Sequence, residues 1–209
     1  MTLARPPGAE ELNDTGELRC YDSDGNARSC LSPPASDDAR FGRDAAPATT
    51  LRKRGGGIAG FDFTKISNDG TDLPPGAPLG TAPRDWACTR DNLTGLIWEV
   101  KTADRSDVRY GGHQYGWYNT NALVNGGHAG NVNSPACFPT LPLCNTQAFI
   151  ETVNRSRLCS YADWRLPTPR ELRSIISYGD AGTAIAVDPA YFPNTPLDRA
   201  HWTASTYAP

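Results

Sequence analysis

Six cysteines, at positions 20, 30, 88, 137, 144 and 159, carry the most reactive side chains in this 209-residue chain. Their spacing points away from reactive thiols. With no C-x-x-C pair and no nearby Cys/His grid they read as a disulfide set, not a zinc site. Cys20 and Cys30 bracket "YDSDGNARS", whose Asp-Gly and Asn turn residues fold the segment back on itself. Cys137 and Cys144 bracket "FPTLPL", which two prolines bend in the same way. By elimination Cys88 pairs with Cys159. Locally closed pairs of this kind belong to an oxidising compartment, so an extracellular, cell-surface or periplasmic location is expected. The opening "MTLARPPGAEELNDTG" shows neither the basic nor the apolar region of a signal peptide.

Other chemistry is sparse. His113, His128 and His201 have no H-x-x-x-H or comparable ligand spacing and read as surface residues. No G-x-S-x-G, phosphate-binding glycine loop or H-E-x-x-H occurs, so no catalytic residue, metal or cofactor is expected, and the chain is not expected to be an enzyme. "DSDGNA" places Asp22, Asp24 and Asn26 at positions one, three and five of a calcium loop, but Ala27 stands at six and no Glu follows at twelve. A disulfide-closed turn explains that segment better.

The residue types best suited to a ligand lie in "HQYGWYNTN". Tyr115, Trp117, Tyr118, Asn119 and Asn121 offer aromatic plates for the C–H faces of a sugar and planar amides for its hydroxyls. Arg155, Arg157, Arg165, Arg170 and Arg173 follow within twenty residues, and a guanidinium fork fits sulfate as it fits phosphate. The alternative for both sets is structural: loop aromatics filling a satellite core, and arginines paired with Glu151, Asp163 and Glu171, as in a Glu151–Arg155 pair at i,i+4.

These residues need elements to position them. In "TGLIWEVKT", Leu96, Trp98 and Val100 alternate with Ile97, Glu99 and Lys101, which predicts a half-buried strand of a mainly antiparallel sheet with its second face ending in charge. "IAGFDFTKI" predicts another strand with Phe61 and Phe63 on one face. Asn145 caps a predicted helix running to about Leu158. Thr168, Pro169 and Glu171 make a T-x-x-E capping box for a second helix, with Leu172, Ile175 and Ile176 as its buried stripe and Gly179 as its left-handed stop. Between the two, Asp163, Trp164 and Arg165 read as a brace with the indole filling the corner.

Composition bounds the rest. Twenty Gly and eighteen Pro predict long irregular loops. A net charge of −3 argues against a nucleic-acid partner, and no apolar run approaches the length of a membrane span. The chain divides into a polar tail (1–19), a loop-rich segment with the small disulfide turn (20–82) and a main domain (83–209).

Four stretches in order, "DNLTGLIWEVKT", "DWRLPTPREL", "VDPAYFPNT" and "WTASTYA", resemble the bacterial Lcl C-terminal domain family, once a domain of unknown function. "DTGELRCYDSDGNARSC" and "FGRDAA" are similar to the leader of many members, so the likeness runs from about 13 to 208 and fades between 43 and 84. The resemblance implies an α+β fold related to C-type-lectin-like and formylglycine-generating-enzyme-like proteins: a twisted antiparallel sheet, two helices and long loops, held here by disulfides. It also implies export or surface attachment, and a namesake adhesin that binds sulfated polysaccharides and trimerises. Members continue beyond the last stretch, whereas this sequence stops at Pro209. A missing C-terminal part would leave an open sheet edge for self-association or a donated strand, unless the disulfides stabilise a shortened variant.

The function expected from all this is an exported or surface binding and adhesion domain for a glycan, with a sulfated polysaccharide among its candidates. Tyr115, Trp117, Tyr118, Asn119 and Arg165 are its expected ligand residues. The alternative is a structural subunit of a fibre or oligomer, with an enzyme of the formylglycine-generating type third.

Overall fold

The computed structural model describes residues 3–4 as backbone, and 14–30, 37–43, 51–134, 136–179 and 187–206. Most of the polar tail expected over 1–19, and residues 207–209 of the last family-like stretch, lie outside these.

The fold is α+β. A five-stranded antiparallel sheet has the order β1-β7-β6-β4-β5, built from β1 (Leu3–Ala4), β4 (Phe63–Ser67), β5 (Asp72–Leu73), β6 (Trp86–Asp91) and β7 (Ile97–Glu99). A separate hairpin joins β2 (Cys20–Tyr21) to β3 (Ala27–Arg28). The sheet crosses the division drawn at 82/83, since β4 and β5 come from one side and β6 and β7 from the other. The outer edge of β7 pairs with the chain's own Leu3–Ala4, so it is not left open along Ile97 and Trp98.

The expectation of a half-buried β7 is corrected: Leu96, Ile97, Trp98, Glu99, Val100 and Lys101 are all buried. Side chains alternate across a strand, so adjacent Ile97 and Trp98 point to opposite faces, and each face carries its own core. Ile97 joins Ile66, Cys88, Phe149, Val153, Leu158 and Trp164. Trp98 joins Phe61, Phe63, Leu96, Ile175, Tyr191 and Phe192. Phe61 and Phe63 stack with ring centres 5.6 Å apart, as their shared face predicts.

The first face is covered by α2 (Thr146–Ser156), which Asn145 caps by accepting from the Ala148 N–H. It is followed by a 3-10 turn, Leu158–Ser160. The second face is covered by the 187–192 turn, where the Asp188 carbonyl accepts from the N–H groups of Tyr191 and Phe192 and delivers both rings to the core. Trp164 fills the corner as expected. Its backbone exchanges two hydrogen bonds with the Asn154 amide, and its Nε1–H donates to the Leu158 carbonyl.

The short helix α1 (Asp38–Phe41) lies between β3 and β4 in the chain, and α3 (Pro169–Arg173) follows α2. The full capping box of Thr168 and Glu171 starts α3, but the helix stops at Arg173, not at Gly179. Gly179 does not adopt the left-handed conformation. Ile175 is drawn into the second core, and the Tyr178 N–H donates to the Thr15 carbonyl, so tertiary contacts end the helix early.

All three disulfides form as spaced: Cys20–Cys30, Cys88–Cys159 and Cys137–Cys144. The "DSDGNA" loop is a turn, with the Asp22 carboxylate accepting from Asp24 N–H, Asn26 N–H and Asn26 Nδ2. No helix among the described residues is long and apolar enough to cross a membrane.

Candidate functional site

The long loop between β7 and α2 is pinned to the first turn of that helix. Thr146 accepts from the Tyr118 N–H and donates to the Tyr118 carbonyl, its own N–H donates to Gly116 O, and the Gly116 N–H donates to Cys144 O. A side chain at Gly116 would meet the Asn131 carbonyl at 2.7 Å, so only glycine permits this approach. The loop is also stapled to the C-terminal segment. Trp117 Nε1–H donates to Thr203 O at 2.9 Å, and Trp202 Nε1–H donates to Tyr115 O at 2.6 Å.

Two depressions result, sharing Gly116, Asn131 and Trp202 as common wall. The first, about 600 Å³, has Lys101 and Phe149 in its lining, with Tyr115, His113 and His201 around it and Arg199 beside Trp202. The second, about 580 Å³, is lined by Trp117, Asn125, His128 and backbone of the glycine-rich stretch. Trp202 stays 42% exposed between them.

Lys101, in the lining of the first depression, belongs to a buried charge pair. Glu99 is fully buried, and Lys101 Nζ lies 3.0 Å from its Oε2 as an ion pair. Neither carboxylate oxygen receives a hydrogen bond among the described residues. Lys101 also sits over the Phe149 ring, 5.0 Å from its centre. His201 Nε2–H donates to Pro196 O and His113 Nε2–H to Asp107 O, which leaves each Nδ1 an acceptor in the neutral ring. Burial holds both imidazoles below the ordinary histidine range; the bonded carbonyls oppose this and Lys101 adds to it. Burial, and then the Glu99 charge, push the Tyr115 phenol far up, so it remains protonated.

The expected ligand residues separate. Tyr115 belongs to the first depression, half-buried with its ring 4.9 Å from Phe149 and its hydroxyl donating to Val108 O. Trp117 lines the second. Tyr118 and Asn119 shape the loop: Asn119 Oδ1 accepts from the Asn121 N–H, and its carbonyl accepts from Asn125 Nδ2. Arg165 lies elsewhere, its guanidinium forked onto both carboxylate oxygens of Glu171 and donating to Leu166 O. The arginines do not converge, because Arg157 lines one cavity while Arg170 and Arg173 line another. Glu151 accepts from Gln147 and makes no ion pair with Arg155.

Sequence reasoning missed Glu99, Lys101, His113, His201 and Trp202. One signal was present: two charges following Ile97 on a strand face otherwise suited to a core.

The profile of the Lcl C-terminal domain matches residues 87–209, more than half of the sequence. The chain belongs to the Lcl C-terminal domain family. The matched residues of this Lcl C-terminal domain contain both depressions, from Lys101 to Thr206. Neither a curated protein nor a solved structure matches the chain.

Proposed function

We propose that this chain is an exported or surface-held binding domain whose ligand is a glycan, taken at the two depressions on either side of Trp202. The observation that carries the reading is the exposed indole itself. A flat apolar face between two largely apolar hollows that carry a few polar groups suits the C–H face of a sugar ring, with hydroxyls turned to each side. The Trp117 and Trp202 N–H groups are already spent on backbone carbonyls, so the rings are held in orientation before a ligand arrives and little ordering entropy remains to be lost. Asn131 adds a planar amide. A C-type-lectin-like arrangement, with the ligand on long loops beside a twisted sheet, is part of the same proposal.

Export is supported by the three disulfides, which persist where thiols are oxidised. All six sulfurs are in bridges, so thiol chemistry has no group to act, and the reading is of binding without turnover.

Retention on a glycan array tests it. Trp202→Ala should weaken binding at least about tenfold, since truncating a central aromatic anchor commonly costs about 2 kcal/mol or more. Absence of retention on every neutral and sulfated glycan would remove the reading. An assembly role is favoured by one different feature: Leu123 is 92% and Val124 56% exposed at a loop tip. An oligomer that forms with rising concentration and is lost in Leu123→Asp, with no glycan retained, would put assembly first.

A further inference from the structure

Cys137–Cys144 differs from the other two bridges in where its sulfurs lie and in what it holds. From both we infer that it is a site of thiol–disulfide exchange, opened by a dithiol reductant and controlling the wall of the first depression. Its effect on a bound sugar rests on the glycan reading; its opening does not.

Access separates the three bridges. Exchange needs a thiolate to reach one sulfur of the bond. Cys88, Cys159 and Cys20 are fully buried, whereas Cys137 and Cys144 are both partly exposed. None of the described residues 137–144 is buried, and none joins either core, so packing does little to hold this loop shut once the bond is broken. Cys30 is also partly exposed, but its bridge lies across a hairpin. There Tyr21 pairs with Ala27 and the Asp22 carboxylate binds Asp24 and Asn26, which keeps the two sulfurs close after reduction and favours reclosure. Within 138–143 a single backbone bond, from Leu141 N–H to Phe138 O, supports the turn.

The bridge joins two arms that carry the same wall. On one, Cys144 O accepts from Gly116 N–H at 3.0 Å and from Ser134 N–H at 3.1 Å, and Cys144 N–H donates to Asn133 Oδ1 at 2.8 Å. On the other, Ala136 O accepts from Gln114 N–H at 2.9 Å, and the Phe138 ring stands 5.7 Å from that of His113. His113, Gln114, Gly116 and Ser134 all line the first depression. The Cys144 arm is anchored by its neighbour Asn145, the buried cap of α2. The freedom gained on opening therefore falls on the Cys137 arm, and through it on Gln114 and His113.

In the exchange, a thiolate of the reductant bonds to one protein sulfur as the Cys137–Cys144 bond breaks, and the electron pair leaves on the other sulfur, which takes up a proton. The second thiol of the reductant then displaces the first, freeing the second protein thiol and a cyclic disulfide. Two electrons and two protons pass to the protein, and the dithiol is oxidised.

The experiment treats the native full chain with a dithiothreitol series, then iodoacetamide, and reads each cysteine by peptide mass spectrometry. Cys137 and Cys144 should be labelled at dithiothreitol concentrations at least about tenfold below those that label Cys20, Cys30, Cys88 or Cys159. In protein opened at that bridge alone, the Gln114 amide should exchange hydrogen at least about tenfold faster, while the Ala148 amide, held by Asn145, is unchanged. A neutral oligosaccharide retained on the array should bind the opened protein at least about tenfold more weakly and recover when the bridge is reoxidised, because the wall is no longer held in place before the ligand arrives. The double variant Cys137→Ser with Cys144→Ser should match the opened protein and be insensitive to dithiothreitol; should it fail to fold, the opened and reoxidised wild type decides alone. Opening of another bridge first or at the same concentration, an unchanged Gln114 amide, or full sugar affinity in the opened protein overturns the inference. If no sugar binds the wild type, the glycan reading falls, and the order of labelling together with the Gln114 amide still decides whether the bridge is an exchange site.

Discussion

Glu99 and Lys101 stand two apart in β7 and its continuation, on a face that would otherwise be apolar. A buried pair like this contributes little net stability, because desolvation offsets attraction, but removing one partner strands the other. Lys101→Met alone should therefore cost about 3–5 kcal/mol, and restoring neutrality with Glu99→Gln in the same chain should recover most of it. Urea unfolding midpoints of the two variants check this; equal losses in both would show that the ion pair is not what the site holds. Arg165 is paired in a comparable way. Both of its terminal nitrogens face Glu171, the side-chain bond to that carboxylate being the largest influence keeping its charge firmly on, so little remains to offer a sulfate.

At the scale of elements, α3 has only five residues, too few to hold a helix by itself, so its start must be fixed from outside. Thr168, Glu171 and Arg165 do that together. Thr168→Ala should cost about 1 kcal/mol, the usual value of an N-cap. Burial pushes the Glu171 carboxyl up, but the Arg165 fork and the Thr168 N–H outweigh it, so its pKa lies below the ordinary glutamate range. Its contribution is then present above about pH 4.3, the unfolded value, and is lost as pH falls through the depressed one. Thermal unfolding from pH 7 to pH 3 should show Glu171→Gln less stable at neutral pH and converging with wild type in acid. Parallel curves would mean that the carboxylate is not paired in solution.

For the molecule as a whole, Cys88–Cys159 joins the central strand β6 to the turn after α2 and spans 71 residues, against 10 and 7 for the other two bridges. In the chain-entropy account, losing it should cost about 4 kcal/mol and each short bridge about 2.5 kcal/mol. Paired Cys→Ala variants, followed by denaturant unfolding, should rank in that order. A thiol reagent should find no free group in the native protein and six after reduction under denaturing conditions. Six free groups in native material would remove the covalent frame on which both loops and site rest.

Much of this was legible in the sequence because the physics involved is local. Asn145 and Thr168 announce helix starts by satisfying N–H groups three residues on. Turn residues between Cys20 and Cys30, and prolines between Cys137 and Cys144, bring sulfurs together within ten residues, and the last pair follows by elimination. Phe61 and Phe63 share a face by the period of a strand. Only the tertiary structure could decide what lies against each face. β7 is buried on both sides because α2 covers one and the 187–192 turn covers the other, which no alternation within seven residues can reveal. Trp117 and Trp202 find carbonyls 86 and 87 residues away, and that crossing divides the aromatic loop into two depressions. Gly179 carries the sequence mark of a helix stop, yet α3 ends six residues earlier because packing of Ile175 and the bond from Tyr178 to Thr15 outweigh it. Caps, turns and short bridges are written in neighbouring residues; burial and convergence depend on distant ones.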